Sequence, residues 1–175
     1  GEIPEVHSWS ELIFEGENPD DNEYISEDLV SLRRDTRERR IMAELAKNES
    51  TPLVTLTDGP LELYHDPRGE KSCEKYFKEY LAALDDLALL NTITAGYVDR
   101  PRAALLTTTL ELLVNNGIGR EAGAFKGVTD LMLMEEFLKP GERSAVFALQ
   151  FRNAGSFEGR KALHFFYLNV GSERL

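Results

Sequence analysis

Leu53-Val54-Thr55-Leu56-Thr57-Asp58-Gly59-Pro60 is the stretch on which the fold turns. Its branched and apolar side chains suit a pleated, half-buried surface, and Pro52 and Gly59 bound the run. A strand over 53–58 that ends on Asp58 delivers this carboxylate to a sheet edge, where ligands can reach it. Gly59 permits the abrupt turn that must follow. Taken alone, Asp-Gly after a strand is also an ordinary turn signal.

Downstream, Leu61 to Tyr64 can form a second strand after the tight Gly59-Pro60 connection. Residues 72 to 90 carry Cys73, Tyr76, Phe77, Tyr80, Leu84 and Leu87 at three- and four-residue steps, which is the stripe of a half-buried helix. Thr92 to Val98 reads as the next strand. Pro101 suits a helix's first turn, and Leu105, Leu106, Leu110, Leu113 and Val114 continue that helix towards Asn115-Asn116-Gly117. A shorter helix spans about Thr129 to Leu138, closed by Pro140-Gly141. Ser144 to Phe151 and Leu163 to Val170 read as two strands joined by a Gly-rich connection.

Upstream, Glu27 to Lys47 reads as a helix with Leu29, Val30, Ile41, Met42 and Leu45 as apolar positions. Between them, Arg33-Arg34-Asp35-Thr36-Arg37-Glu38-Arg39-Arg40 is either a solvated face of alternating charge or a basic strip for DNA or a partner. Residues 1–27 form an acidic, loop-rich lead-in with Trp9, Leu12 and Phe14 as possible docking anchors. Strands alternating with helices predict a single mixed α/β domain over 28–175, with helices packed on a central β-sheet. No internal repeat and no linker divides it.

Composition supports a globular chain: 42% of its 175 residues are hydrophobic, enough for one core. No apolar run approaches the roughly 18 residues of a membrane span, so no membrane is expected. Cys73, the single cysteine, cannot close an internal disulfide, and a reducing cytoplasm is the expected setting. The formal charge of −11 argues against a simple nucleic-acid-binding module, which usually presents a basic face. Clustered carboxylates are nevertheless what hard divalent cations require. There is no P-loop, no dinucleotide fingerprint and no nucleophile elbow.

Other candidates each admit a plain structural role. Asp130, beside Thr129, starts a helix and can serve as a cap or as a ligand. Glu111 lies mid-helix, where an acid is often only a surface residue. Arg100, Arg102 and Arg143 sit at turns near Pro or Gly, where a guanidinium can clamp phosphate or simply form an exposed ion pair. His164 can transfer a proton or be structural. Tyr97 and Tyr167 are by default core aromatics of strands.

Five segments in order resemble the NurA family of archaeal and bacterial DNA-repair nucleases. They are Val54 to Leu61, Ala95 to Arg102, Phe125 to Asp130, Lys139 to Phe147 and His164 to Val170, within about residues 28 to 171. The resemblance implies an RNase H-like fold and a Mn²⁺-dependent nuclease, with Mg²⁺ as a possible substitute. It further implies 5′-to-3′ exonuclease and single-strand endonuclease activity on single strands and duplex ends. Homodimers working with a HerA-type hexameric ATPase in end resection and double-strand-break repair are expected. On this similarity Asp58, Glu111 and Asp130 are the metal carboxylates, with Glu121 or Glu135 as substitutes for Glu111. His164 and Tyr167 join the catalytic set, and Arg100, Arg102 and Arg143 bind DNA phosphates. The family continues beyond the segment at Asn169-Val170-Gly171, so a C-terminally incomplete domain is expected. The alternative is a non-catalytic NurA-like module that binds an ATPase ring.

Overall fold

The computed structural model describes residues 26–49, 52–63, 71–118, 125–150, 154–159 and 162–171, with positions 6, 8–10, 12 and 123 besides. Among the described residues four α-helices and four short strands follow one another, with a 3-10 turn at Ala154–Ser156 between the last two strands: α1 (Glu27–Ala46), β1 (Val54–Asp58), α2 (Lys71–Leu89), β2 (Ile93–Tyr97), α3 (Leu105–Ile118), α4 (Asp130–Phe137), β3 (Phe147–Ala148) and β4 (His164–Phe165). The chain is therefore a mixed α/β protein.

β1, α2 and β2 form a parallel β-α-β unit, with Val54 opposite Ile93 and Asp58 opposite Tyr97. Parallel neighbours need a long crossover, and the nineteen-residue α2 supplies it. Its apolar stripe does as the spacing predicts: Cys73, Phe77, Tyr80, Leu84 and Leu87 are all buried. Tyr80, Leu84 and Leu87 join Ala43 and Ala46 of α1 and Phe157 in the main core.

α1 starts where Ser26 caps it, the hydroxyl accepting from the Leu29 N–H at 3.2 Å. Its buried face is Leu29, Leu32, Thr36, Arg39, Ala43 and Ala46, a three- and four-residue series that includes two polar side chains. Val30 and Leu45, expected among the apolar contacts, are exposed instead. Thr36 is accommodated on this face because a neighbour accepts its donor: the Thr36 hydroxyl donates to the Tyr76 carbonyl of α2 at 3.1 Å.

Several expectations are corrected. Among the described residues the strands form two separate two-stranded sheets, β1-β2 and β3-β4, rather than one central sheet. Leu61 and Glu62 are bends, not a strand, because the Leu61 carbonyl accepts from the Tyr80 hydroxyl at 2.7 Å, which ties this segment to α2. Tyr64 lies outside the described residues. The helix expected from Pro101 begins at Leu105, four residues later. The strands expected over 144–151 and 163–170 shrink to two residues each, extended by a bridge between Arg143 and Leu168. Phe151 is outside the described residues, as are Phe14 and most of the lead-in, whereas Trp9 and Leu12 are exposed. Among the described residues no helix is long and apolar enough to cross a membrane.

Candidate functional site

Asp58 is the last residue of β1 and is exposed, at the carboxyl end of a parallel strand. Two local features hold it there. Gly59 takes φ +93°, in the left-handed region that glycine adopts without cost, and its N–H donates to the Tyr97 carbonyl at 2.7 Å. The turn then crosses directly over Gly96 of β2, where any side chain would strike the Gly59 carbonyl oxygen and the backbone of Pro60 and Leu61. A bare backbone at Gly96 thus allows the chain to leave the sheet at Asp58.

Beside this turn lies a cleft of about 230 Å³ between α1 and the segment leaving β1. Ser31, Asp35 and Arg39, four residues apart on α1, line one wall, and Asp58 and Glu62 line the other. Leu32, Leu63 and Phe77 supply apolar lining. Arg34 meets Asp35 at 3.1 Å. Burial raises the pKa of Glu62 above its ordinary value, favouring the neutral acid. A raised value means the folded chain resists ionisation, a stabilising contribution present at low pH and lost as pH rises through that value. Glu62→Gln is therefore expected to raise the melting temperature near pH 7 and leave it unchanged near pH 4; a rise of equal size at both would refute the assignment.

Asp130 occupies a different setting. It is fully buried, and both carboxylate oxygens are engaged. Oδ1 accepts from the Thr107 N–H at 2.9 Å and the Thr107 hydroxyl at 3.1 Å. Oδ2 accepts from the Leu106 N–H at 3.0 Å and the Tyr167 hydroxyl at 2.7 Å. These N–H groups belong to the first turn of α3, where intrahelical acceptors are missing. Ala103 and Ala104, just before that turn, have no side chain able to cap it. Asp130 provides the cap from another helix, and its own N–H donates to the Ala103 carbonyl at 3.0 Å. Thr129 meanwhile caps α4, its hydroxyl accepting from the Met132 N–H at 3.3 Å. Burial works to raise the Asp130 pKa, but the hydrogen bonds from Thr107, Tyr167 and Leu106 outweigh it and hold the carboxyl below its ordinary value. Tyr167 is pushed up by burial and by the adjacent Asp130, and stays a neutral donor.

The remaining candidates fall elsewhere. Glu111 is half-exposed on α3 and accepts from the Gly123 N–H. Arg143 donates to the Ser144 carbonyl at 2.8 Å, and Ser144 pairs with Tyr167 through Ser144 N–H to carbonyl (2.8 Å) and Tyr167 N–H to hydroxyl (3.0 Å). Arg143 therefore sits one residue from the strand position that carries Tyr167 to Asp130. Arg100, with φ +52°, is exposed and lies 3.6 Å from Asp99, and Arg102 is exposed. His164 is exposed, its Nδ1 3.0 Å from the Ala162 carbonyl oxygen. Glu135 is exposed, and Glu121 lies outside the described residues.

Asp130 and Tyr167 are thus brought together, while Asp58 opens onto the α1 cleft and Glu111 onto Gly123. Among the described residues no three of His, Cys, Asp and Glu gather closely enough to hold one ion. Sequence reasoning missed Arg39, Asp35 and Glu62 as neighbours of Asp58. The four-residue spacing Ser31-Asp35-Arg39 was a readable signal for one wall; the return of Glu62 past Pro60 was not. Comparisons with protein-family models, curated proteins and solved structures gave no match.

Proposed function

We propose that the chain is a Mn²⁺-dependent DNA nuclease of the NurA type on an RNase H-like scaffold. It would cut single strands and process duplex ends, as a homodimer, with a HerA-type hexameric ATPase. The observation that carries this reading is the exposed Asp58 carboxylate at the carboxyl end of a parallel strand, beside a cleft. Mn²⁺ and Mg²⁺ prefer hard oxygen donors, keep several waters, and are commonly bound through one or two carboxylates plus substrate phosphates. Asp58 is a carboxylate of that kind; Asp35 and Glu62 line the same cleft, but the three do not gather closely enough to hold one ion between them. When bound, the ion would supply an activated water and offset charge on the phosphate.

The chain's own residues divide the remaining work. Asp58 is the principal metal carboxylate. Asp130 has all four of its hydrogen-bonding positions in use, so it would ligate only by releasing Tyr167 or Thr107; its role in this reading is to fix α3 and Tyr167. The exposed Arg100, Arg102 and Arg143 are available to phosphates, and His164 to a proton in solvent-facing chemistry. A net charge of −11 assigns part of the grip on DNA to a basic partner.

Incubation of the chain with single-stranded DNA and Mn²⁺ is expected to give cleavage that a chelator abolishes. Asp58→Ala should lower its rate about 100-fold or more while leaving the melting temperature near that of wild type. Cleavage by Asp58→Ala at the wild-type rate would exclude the proposal. The engagement of Asp130 favours, as a second reading, a non-catalytic module of the same type that binds the ATPase ring. Inertness of the wild-type chain even with that ATPase would select it.

A further inference from the structure

Along β1 and β2 the hydroxyl side chains lie inward and the apolar ones outward, the reverse of what a two-layer unit needs. Side chains alternate between the faces of a strand. Thr55, Thr57 and Thr94 take the inner face, where Thr57 is buried and the Thr55 hydroxyl donates to that of Thr94 at 3.1 Å. Val54, Leu56 and Ile93 take the outer face and are 60%, 66% and 62% exposed. The register sets Val54 beside Ile93 and Leu56 beside Ala95, with Tyr97 at the end of the row, so these side chains form one apolar strip. Parallel sheets are ordinarily covered on both faces, and an open strip of this kind marks a contact surface.

The chain holds a fitting occupant. Residues 1–27 contain nine Asp and Glu and no Lys or Arg, hence nine of the eleven net negative charges. Within that stretch Val6, Trp9 and Leu12 are large apolar residues that are exposed. We infer that the segment from Val6 to Leu12 docks on the outer face of the β1-β2 sheet, with Trp9 as its anchor. Three observations favour this occupant over a second copy. The strip is two strands wide and five residues long, about 10 Å by 17 Å, far below the roughly 800 Å² that each partner gives to a stable interface. A tethered segment needs no such area, because a short linker holds it at an effective concentration of about millimolar. The tether also reaches. Ser31 and Asp35 of α1 share a cleft with Asp58, so α1 begins at the carboxyl end of the strands, and the steps from Leu12 to Ser26 span up to about 46 Å. Charge agrees: Glu15, Glu17, Asp20, Asp21 and Glu23 follow the anchors, while Arg100, 3.6 Å from Asp99, and the exposed Arg102 follow β2 at that same end. The docking goes beyond the proposed nuclease activity and does not depend on it.

Trp9 is the only tryptophan of the chain, so its fluorescence reports the contact directly. Acrylamide quenching is measured on the full chain, with far-ultraviolet circular dichroism as the check on folding. A docked indole is shielded; Leu56→Asp sets a charge in the strip and should raise the quenching constant about threefold and shift the emission to the red. Leu56 is exposed, so the fold tolerates the change, and Ile93→Asp should act alike. Leu113→Asp, at an exposed position of α3, should leave Trp9 at its wild-type value. Wild-type quenching in both Leu56→Asp and Ile93→Asp overturns the docking, as does release of Trp9 by Leu113→Asp instead. Shielding that vanishes on about hundredfold dilution would assign the occupant to a second copy and overturn the contact within one chain.

Discussion

Asp130→Ala is expected to lower unfolding free energy by about 3–5 kcal/mol, from four donors losing one acceptor. The Leu106 and Thr107 N–H groups would be left uncapped at the start of α3, and the Thr107 and Tyr167 hydroxyls would lose their common partner. Each buried donor left unpaired costs about 1–3 kcal/mol, and because the four share one carboxylate their losses do not simply add. Asp130→Asn keeps one acceptor oxygen and should fall between the two. The effect depends on pH with a definite sign. A carboxyl held below its ordinary pKa contributes stability that is present above the ordinary carboxylate range and is lost as pH falls through the lowered value. Urea denaturation of wild type and Asp130→Asn should therefore show a gap at pH 7 that narrows in acid. A gap that widens in acid would contradict the capping role.

Gly96→Ala is the second large effect. The three atoms that a methyl group at Gly96 would meet first are all backbone: the Gly59 carbonyl oxygen most closely, then Leu61 N at 3.0 Å and Pro60 C at 3.1 Å. No flexible side chain can yield, so the turn itself must move. Overpacking of this kind costs about 1–3 kcal/mol, and displacing the turn endangers the 2.7 Å bond from Gly59 N–H to the Tyr97 carbonyl. A loss of about 3 kcal/mol in urea denaturation is expected. Because the turn carries Asp58, the cleavage proposed for this chain should fall further than the unfolded fraction explains at a temperature where the variant is folded. Unchanged stability would mean that the turn does not lean on Gly96.

Much of the fold was legible in the sequence because local signals and tertiary needs agreed. The stripe from Cys73 to Leu87 is long and strictly periodic, and all of it is buried as read except Tyr76, which is half-buried. The run ending at Asp58 had a clear boundary in Gly59. Where the reading failed, a distant group decided the local outcome. Pro101 looked like a helix start, but α3 waits until Leu105, the point at which Asp130 can reach its first N–H groups. The segment at Leu61 has strand-forming residues, yet its carbonyl is claimed by Tyr80. Thr36 and Arg39 looked like parts of a solvated charge run, and nothing nearby in sequence announces their burial against α2 and the Asp58 cleft. The site was half legible for the same reason. Asp58 follows from its strand and glycine alone, whereas the partnership of Asp130 with Tyr167 spans 37 residues and emerges only when the chain is folded.

The proposed division of labour between the two aspartates is tested most directly by Mn²⁺ binding, read from the paramagnetic resonance signal of free Mn²⁺ during titration. Asp58→Asn should weaken binding about tenfold or more, with the melting temperature unchanged. Asp130→Asn should melt earlier but, below its melting point, bind Mn²⁺ within about twofold of wild type. Wild-type Mn²⁺ affinity in Asp58→Asn, or its loss in folded Asp130→Asn alone, would show that the roles assigned to the two carboxylates are wrong.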